Sequence, residues 1–351
     1  MTVQSSSPAL RRVALPGFLA FLGLTAVLLL WAKWTPYTAR TEELLGTRDW
    51  SGSSVLAGAG IEPGTGPSLR AGWEFTEVYA LAVWKAVVAG LVVAAGVQTL
   101  VPRRWLLSLL RRRRDTSSAV VGGLLATPSM MCSCCTAPVA NSLRRSGVPT
   151  AGVVAYWLGN PLLNPAVLVF LALVAPWQWV VTRLVVGLLV VTGGSVLVAR
   201  LAGERVAAQA GEAVAEHDSG PRRFLPVLAR MALVLVPEYL LVVFAVGTFA
   251  GWLFPLGESA RSWGVLTVLL AVVLGTLLVI PTAGEVPITQ GLAAAGLGPA
   301  VVGALLITLP AISLPSAVMV LGVLRRRVVL WTAATVAAGG LLGAGLLSLT
   351  T

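Results

Sequence analysis

The chain is short of charge. Only 11% of its 351 residues are Asp, Glu, Lys or Arg, while 57% are hydrophobic. A soluble domain carries about 25% charged residues. A water-soluble fold of this size has no interior able to hold such an apolar excess, so an all-α integral membrane protein is expected. Acid is scarcer than base: 14 Asp and Glu face 25 Lys and Arg, a net charge of +11. Histidine occurs once, as His217 in a charged stretch where a solvated side chain is expected. Cysteine occurs three times, all within four residues, which excludes a disulfide framework. No second Cys/His cluster completes four ligands, which excludes a structural zinc site. No ATP-binding motif is present, so transport would draw on a gradient or a partner. No cofactor fingerprint is present, and no enzymatic activity is expected.

The excess of base does not mark a nucleic-acid binder. The arginines fall in short clusters between apolar runs: Arg11–Arg12, Arg103–Arg104, Arg111–Arg114, Arg222–Arg223 and Arg325–Arg327. That is the pattern of the positive-inside rule, and it names a lipid bilayer as partner. The stretch "LRRVALPGFLAFLGLTAVLLLWAKW" has a basic start and an apolar run of about 18 residues, too long for a signal core, with no small-x-small site after it. An uncleaved first span in the cell (cytoplasmic) membrane is expected, with the N-terminus in the cytoplasm.

A spanning helix needs about 20 apolar residues. Seven runs qualify: 14–32, 77–101, 150–174, 180–200, 226–250, 299–322 and 328–349. Two others, 118–131 and 264–280, stop at prolines, and each is followed by a short amphiphilic stretch, 136–146 and 285–296. Segment 35–76 reads as a polar external loop, and 203–223 as a charged linker.

The sequence also repeats. At an offset of 149, Pro138 falls on Pro287, Gly147 on Gly296, Pro161 on Pro310 and Asn164 on Ser313. Threading the chain through a bilayer with 118–146 and 264–296 as re-entrant hairpins places every Arg cluster on the cytoplasmic side. Each copy then holds three crossings, so the two copies are inverted and their hairpin tips meet near the midplane. Irregular backbone at that depth is tolerated only inside protein or around a water-filled cavity, and inverted repeats with broken helices are characteristic of transporters. The expected division is 1–76, an extra span and external loop; 77–202, the first repeat; 203–223, a cytoplasmic linker; and 224–351, the second repeat.

All three cysteines lie in the first hairpin, in "TPSMMCSCCTAPVANSL". Thiolates and thioethers select soft ions, and trivalent arsenic is similarly thiophilic. Cys132 and Cys134 share a face if the tip is extended; Cys132 and Cys135 pair if it is helical. Met130 and Met131 add thioethers. The alternative is that the cysteines pack as small hydrophobes. Asn160 and Asn164 share a helix face, and each precedes a proline that leaves a carbonyl without its donor. They either line a polar path or bond between helices, as Asn does in membranes. Thr308, Ser313 and Ser316 offer hydroxyls at the matching level of the second copy. Glu285 takes the place of Thr136 in the second hairpin, as a coupling acid or as a carboxylate near the outer mouth. Lys85 and Glu238 lie inside the spans that open the two copies. An ion pair between them is one expectation, and snorkelling of Lys85 is the other.

"CSCC-TAP", followed by a glycine and "GNPLLNP" and paired with a second P…P…G…P copy, resembles the predicted-permease family that includes the organoarsenical efflux permease ArsP. The resemblance covers roughly 77–349. The family's hairpin motif reads C-S-C-G-x-x-P; here Cys132-Ser133-Cys134-Cys135-Thr136-Ala137-Pro138 carries cysteine where glycine is usual. The resemblance implies a permease for trivalent arsenicals or soft metal ions, acting in efflux. The residues themselves also admit another small solute, such as a sulfur species. A membrane thiol oxidoreductase built on the Cys132–Cys135 C-x-x-C is the rival from another class.

Overall fold

The structure is a computed structural model, and it describes residues 8–50, 60, 65–110, 114–204, 221–249, 251, 264–294 and 296–351. The described residues form helices joined by short turns, with no strand among them. Seven helical stretches are long and apolar enough to cross a membrane: Gly17–Thr47, Leu69–Thr99, Thr150–Val174, Trp177–Leu201, Phe224–Thr248, Pro299–Leu321 and Arg326–Thr350. Their outer faces carry large apolar side chains, such as Leu233 at 76% and Leu342 at 57% exposure. Water would oppose such a surface; lipid tails accept it. The chain is a multi-pass membrane protein.

Segment 35–76 is not a loop throughout, as its polarity had suggested. The first helix, Pro8–Leu29, passes through a π-helical stretch, Leu30–Trp34, and continues as Thr35–Thr47. Packing outweighs composition here. Tyr37 and Trp50 set their rings against Phe170, and Leu44 is fully buried. The next helix starts at Leu69 rather than 77, capped by the Ser68 hydroxyl on the Ala71 N–H. The linker residues 205–220, His217 among them, lie outside the described residues.

Two pairs of short helices break the pattern of long ones. In the first, Asp115–Ala126 runs through a 3-10 turn, Thr127–Ser129, to a return helix, Ser133–Arg145. In the second, Val265–Leu277 leads to Glu285–Ala294. Each break contains a non-glycine residue in the left-handed region, Met130 (φ 48°) and Ala283 (φ 71°).

The offset of 149 recurs in the elements. Thr150–Leu162 and Pro299–Ala311 start and stop at matching positions, as do the starts Pro165 and Leu314. The turns after the return helices also match. Gly147 (φ 89°) and Gly296 (φ 81°) take the left-handed conformation that closes a helix. Each donates to the carbonyl three residues back, Arg144 and Ala293, both at 2.9 Å.

The bundle has two distinct ends. At one, Glu204 pairs with Arg144 (3.1 Å) and Arg325 (3.3 Å) and accepts from Thr150 (2.6 Å). At the other, Leu44, Phe170, Trp179 and Leu347 pack as one cluster. There the Gln290 amide donates to the Val174 carbonyl at 2.8 Å.

Candidate functional site: a buried three-thiol cluster

Cys132 is the N-cap of the return helix Ser133–Arg145, in extended conformation (φ −76°, ψ 168°). An N-cap side chain folds back over the first turn, so the Cys132 sulfur faces the next two thiols. Its Sγ lies 3.1 Å from Cys134 Sγ and 2.9 Å from Cys135 Sγ. The extended-tip and helical-tip pairings are thus both met, because the chain switches from one conformation to the other at Cys132. All three cysteines are free and buried, with their sulfurs within 4.8 Å of one another. A three-coordinate soft ion at about 2.3 Å from each sulfur sets them about 4 Å apart, within reach of small side-chain rotations. Among the described residues this is the one group of metal-ligand type.

Neighbouring elements hold the thiol helix closely. A Cβ on Gly90 would lie 2.5 Å from the Cys135 carbonyl, so the helix Leu69–Thr99 approaches as only glycine allows. Trp157 Nε1 donates to the Ser133 carbonyl at 3.2 Å. The hydroxyls of Ser133 and Ser313 meet at 3.2 Å, which ties the thiol helix to the N-cap of Leu314–Leu321 in the second half. Pro138 has no N–H to give the Cys134 carbonyl. A small cavity lies against Cys134 and Cys135, bounded by Leu91, Pro138, Leu235, Tyr239 and Met319. Two phenols flank Cys134: Tyr79 and Tyr239 each place their oxygen 3.7 Å from its sulfur.

The other residues singled out in the sequence take varied places. Met131 is buried, and its backbone N–H reaches Asn160 Oδ1 at 3.3 Å. Ser129 also donates to Asn160 Oδ1, so Asn160 clamps the first break. Asn164 caps Pro165–Val174 through Ala166 and Val167, with its Nδ2 buried and unpartnered. Thr308 donates to the Ala304 carbonyl of its own helix (3.0 Å), and Ser316 forms a capping box with Ser313. Glu285 is 1% exposed and pairs with Arg183 at 2.7 Å.

Lys85 and Glu238 are not brought together; among the described residues no ion pair joins them. Lys85 is exposed, with its ammonium over the rings of Trp31 (5.7 Å) and Trp84 (5.9 Å), and Glu238 is half-buried. The indoles at the exposed helix surface give the lysine stem and charge a nearer place to rest than a carboxylate one helix away.

Arg183, Lys33, Tyr79 and Tyr239 escaped the sequence reading. Arg183 had a signal, a lone arginine inside an apolar span. It is wholly buried and donates to the carbonyls of Pro161 (2.7 Å) and Leu162 (3.2 Å). Pro165 has no N–H for the Pro161 carbonyl, and the Ala166 N–H is taken by Asn164 Oδ1. Arg183 thus fills the acceptors that the helix break leaves empty.

A helical membrane bundle with two broken helix pairs, one carrying buried thiols at its break, defines a polytopic membrane protein of transporter type. Residues 69–348 match the family ArsP_1, described as predicted permease, and the chain belongs to that family. It is also similar to the UPF0718 protein YraQ of Escherichia coli (strain K12), 37% identical over 349 residues that cover 99% of each chain. No solved structure matches.

Proposed function

We propose that the protein is a permease that moves a small thiophilic solute, with the cargo engaging Cys132, Cys134 and Cys135. Trivalent arsenicals, soft metal ions and small sulfur species are the cargoes that thiol chemistry admits, with efflux as the direction. The observation that carries this reading is the convergence of three free thiols within 4.8 Å. They sit at a helix break lined by polar groups from both halves of the chain. Met131 and Asn160 support the site by fixing the first break, Asn164 by capping Pro165–Val174, and Ser313 by meeting the Ser133 hydroxyl.

The inverted-repeat reading belongs to this proposal. The four short helices are 12, 13, 13 and 10 residues long. At about 1.5 Å per residue none exceeds roughly 20 Å, short of a core about 30 Å thick. Two re-entrant hairpins account for them. Arg144, at the end of the first return helix, sits at the Glu204 end with Thr150. Gln290, on the second return helix, sits beside Val174, at the far end of the helical stretch that begins at Thr150. Hairpins entering from opposite faces fit this placement. The repeats run from Leu69 to Leu201 and from Phe224 to Thr350, after an extra N-terminal span and before and after the linker. The Arg-rich end faces the cytoplasm, together with the N-terminus. Glu285, paired with Arg183, holds the second hairpin and is the candidate for coupling to protons.

The oxidoreductase alternative rests on the Cys132–Cys135 spacing, but thiols 2–5% exposed have no approach for a protein redox partner. A transport screen on sealed vesicles containing the purified protein tests the proposal. The panel is As(III), methylated As(III), Cu(I), Zn(II) and thiosulfate. Accumulation of at least one soft solute above protein-free vesicles is expected. Movement of none of them would defeat the reading.

A further inference from the structure

The N-terminal span lies outside the residues matched to the family, which begin at 69, yet about one turn of it reaches both helix breaks. Trp34 Nε1 donates to the Pro128 carbonyl (2.8 Å) and Tyr37 Oη to the Met130 carbonyl (3.4 Å), both in the first break. The Lys33 ammonium donates to Tyr37 Oη (3.2 Å) and to Thr282 Oγ1 (3.1 Å), the latter in the second break. The Tyr37 hydroxyl thus accepts from Lys33 while it donates to Met130, and hydrogen bonds chained in this way strengthen one another.

The first break is held from two sides. Asn160 accepts from the Ser129 hydroxyl and the Met131 N–H. The first span takes the alternate carbonyls, those of Pro128 and Met130. Cys132 follows at the N-cap of the return helix, so the backbone fixed by these bonds is the backbone that presents its sulfur. The two sides are seated unequally. Asn160 is fully buried, in a helical stretch whose most apolar window is 67% buried. The corresponding window of the first span is 22% buried, and Trp34 and Tyr37 are half-buried. Segments with few buried contacts open first. Lys33 and Trp34 also lie in the π-helical stretch Leu30–Trp34, an irregularity frequent at functional sites.

We propose that the first span is a strap: through Lys33, Trp34 and Tyr37 it holds both breaks closed together, and the thiols become accessible when it lets go. Lys33 is a positioning residue in this account. Its two hydrogen bonds, both to hydroxyls, carry a change in the second break to the first. An ammonium that loses Thr282 has an unmet donor and a long stem that can carry it toward water. Its bond to Tyr37 goes with it, and the hold on the Met130 carbonyl weakens. The use of the strap as a gate for cargo rests on the thiols being the cargo site; the link between the two breaks does not.

The rate of alkylation by N-ethylmaleimide in the purified full chain tests it. The three thiols are all the cysteine of the chain, and all are buried, so the rate reads how often the first break opens. Tyr37→Phe keeps the ring against Phe170 and removes the hydroxyl. It is expected to speed alkylation about tenfold, the order of one buried hydrogen bond. Thr282→Val, in the other break, is expected to speed it about threefold, at the lower end of that range. In a Lys33→Met background Thr282→Val should add nothing, because the path through the ammonium is already cut. Thr332→Val, whose hydroxyl bonds Val328 in its own helix, is the control and should match the wild type. Alkylation of Thr282→Val at the wild-type rate overturns the inference, and so does an equal acceleration by Thr332→Val. Acceleration by Thr282→Val that persists undiminished in Lys33→Met overturns it as well. The single variants at 37, 282 and 332 decide the question even if Lys33→Met does not insert. Alkylation needs no transport: coupled breaks in a protein that moves no soft solute leave the strap standing and remove the cargo reading, while transport without coupling does the reverse.

Discussion

At the scale of the residue, Arg183 concentrates the most interactions in the least water. It joins Glu285, at the start of Glu285–Ala294, to the carbonyls of Pro161 and Leu162 in the first half. Removing one partner of a buried pair costs about 3–5 kcal/mol, because it strands a charge. Arg183→Met strands Glu285 and two carbonyls together, so it should lower thermal stability more than Glu285→Leu. The double substitution should recover part of the loss, and a thermal-shift series on the four proteins checks this. Asn160 makes a smaller contribution. Asn160→Ala leaves the Ser129 hydroxyl and the Met131 N–H without their acceptor, at about 1–3 kcal/mol per buried group. Proteolysis at the first break should accelerate in that variant. Lys85→Ala should be mild and additive with Glu238→Ala, since nothing joins the two.

At the scale of the element, close helix contact governs the thiol helix. Gly90 meets the Cys135 carbonyl with no room for a methyl group. Small residues in membrane helices permit such approach, and packing rather than a hydrophobic drive holds them. Gly90→Ala should push the thiol helix away and lower transport while the protein still inserts, as measured by solute uptake against membrane yield. Gly17→Ala, where a Cβ meets nothing within 4 Å, is the matched control and should leave uptake unchanged. The elements were the most legible part of the sequence. Length and apolarity alone marked the runs 150–174 and 299–322, because lipid thickness sets both. The prolines and glycines of the repeat marked helix ends for the same reason: Gly147 and Gly296 take a backbone conformation that other residues resist. The stretch 35–47 was not legible. Its polar residues said loop, and only packing of Tyr37 and Leu44 against distant helices makes it a helix. The thiol cluster was visible as chemistry, but its partners Tyr79 and Tyr239 lie 53 and 104 positions from the nearest cysteine, and only the fold brings them in.

At the scale of the whole molecule, the two ends differ in charge. Glu204 gathers arginines from the first pair of short helices and from the start of the last helix, and in the proposed threading the positive-inside rule puts that end in the cytoplasm. Leu347, near the C-terminus, packs with Leu44 and Phe170 at the other end. A C-terminal reporter that works only outside the cytoplasm should therefore be active, and one that works only inside should be silent. The opposite result would remove the proposed threading and with it the entry of the hairpins from opposite faces.

The central claim is that cargo passes by way of the three thiols. Uptake of the best soft solute into sealed vesicles, compared between the wild type and Cys134→Ser, tests it most directly. Serine keeps nearly the size of cysteine, so packing around Tyr79, Tyr239 and Gly90 is spared, while the soft ligand is lost. The account predicts that the serine variant inserts and folds but no longer transports. Wild-type transport by Cys134→Ser would contradict it and leave the cysteines as packing residues.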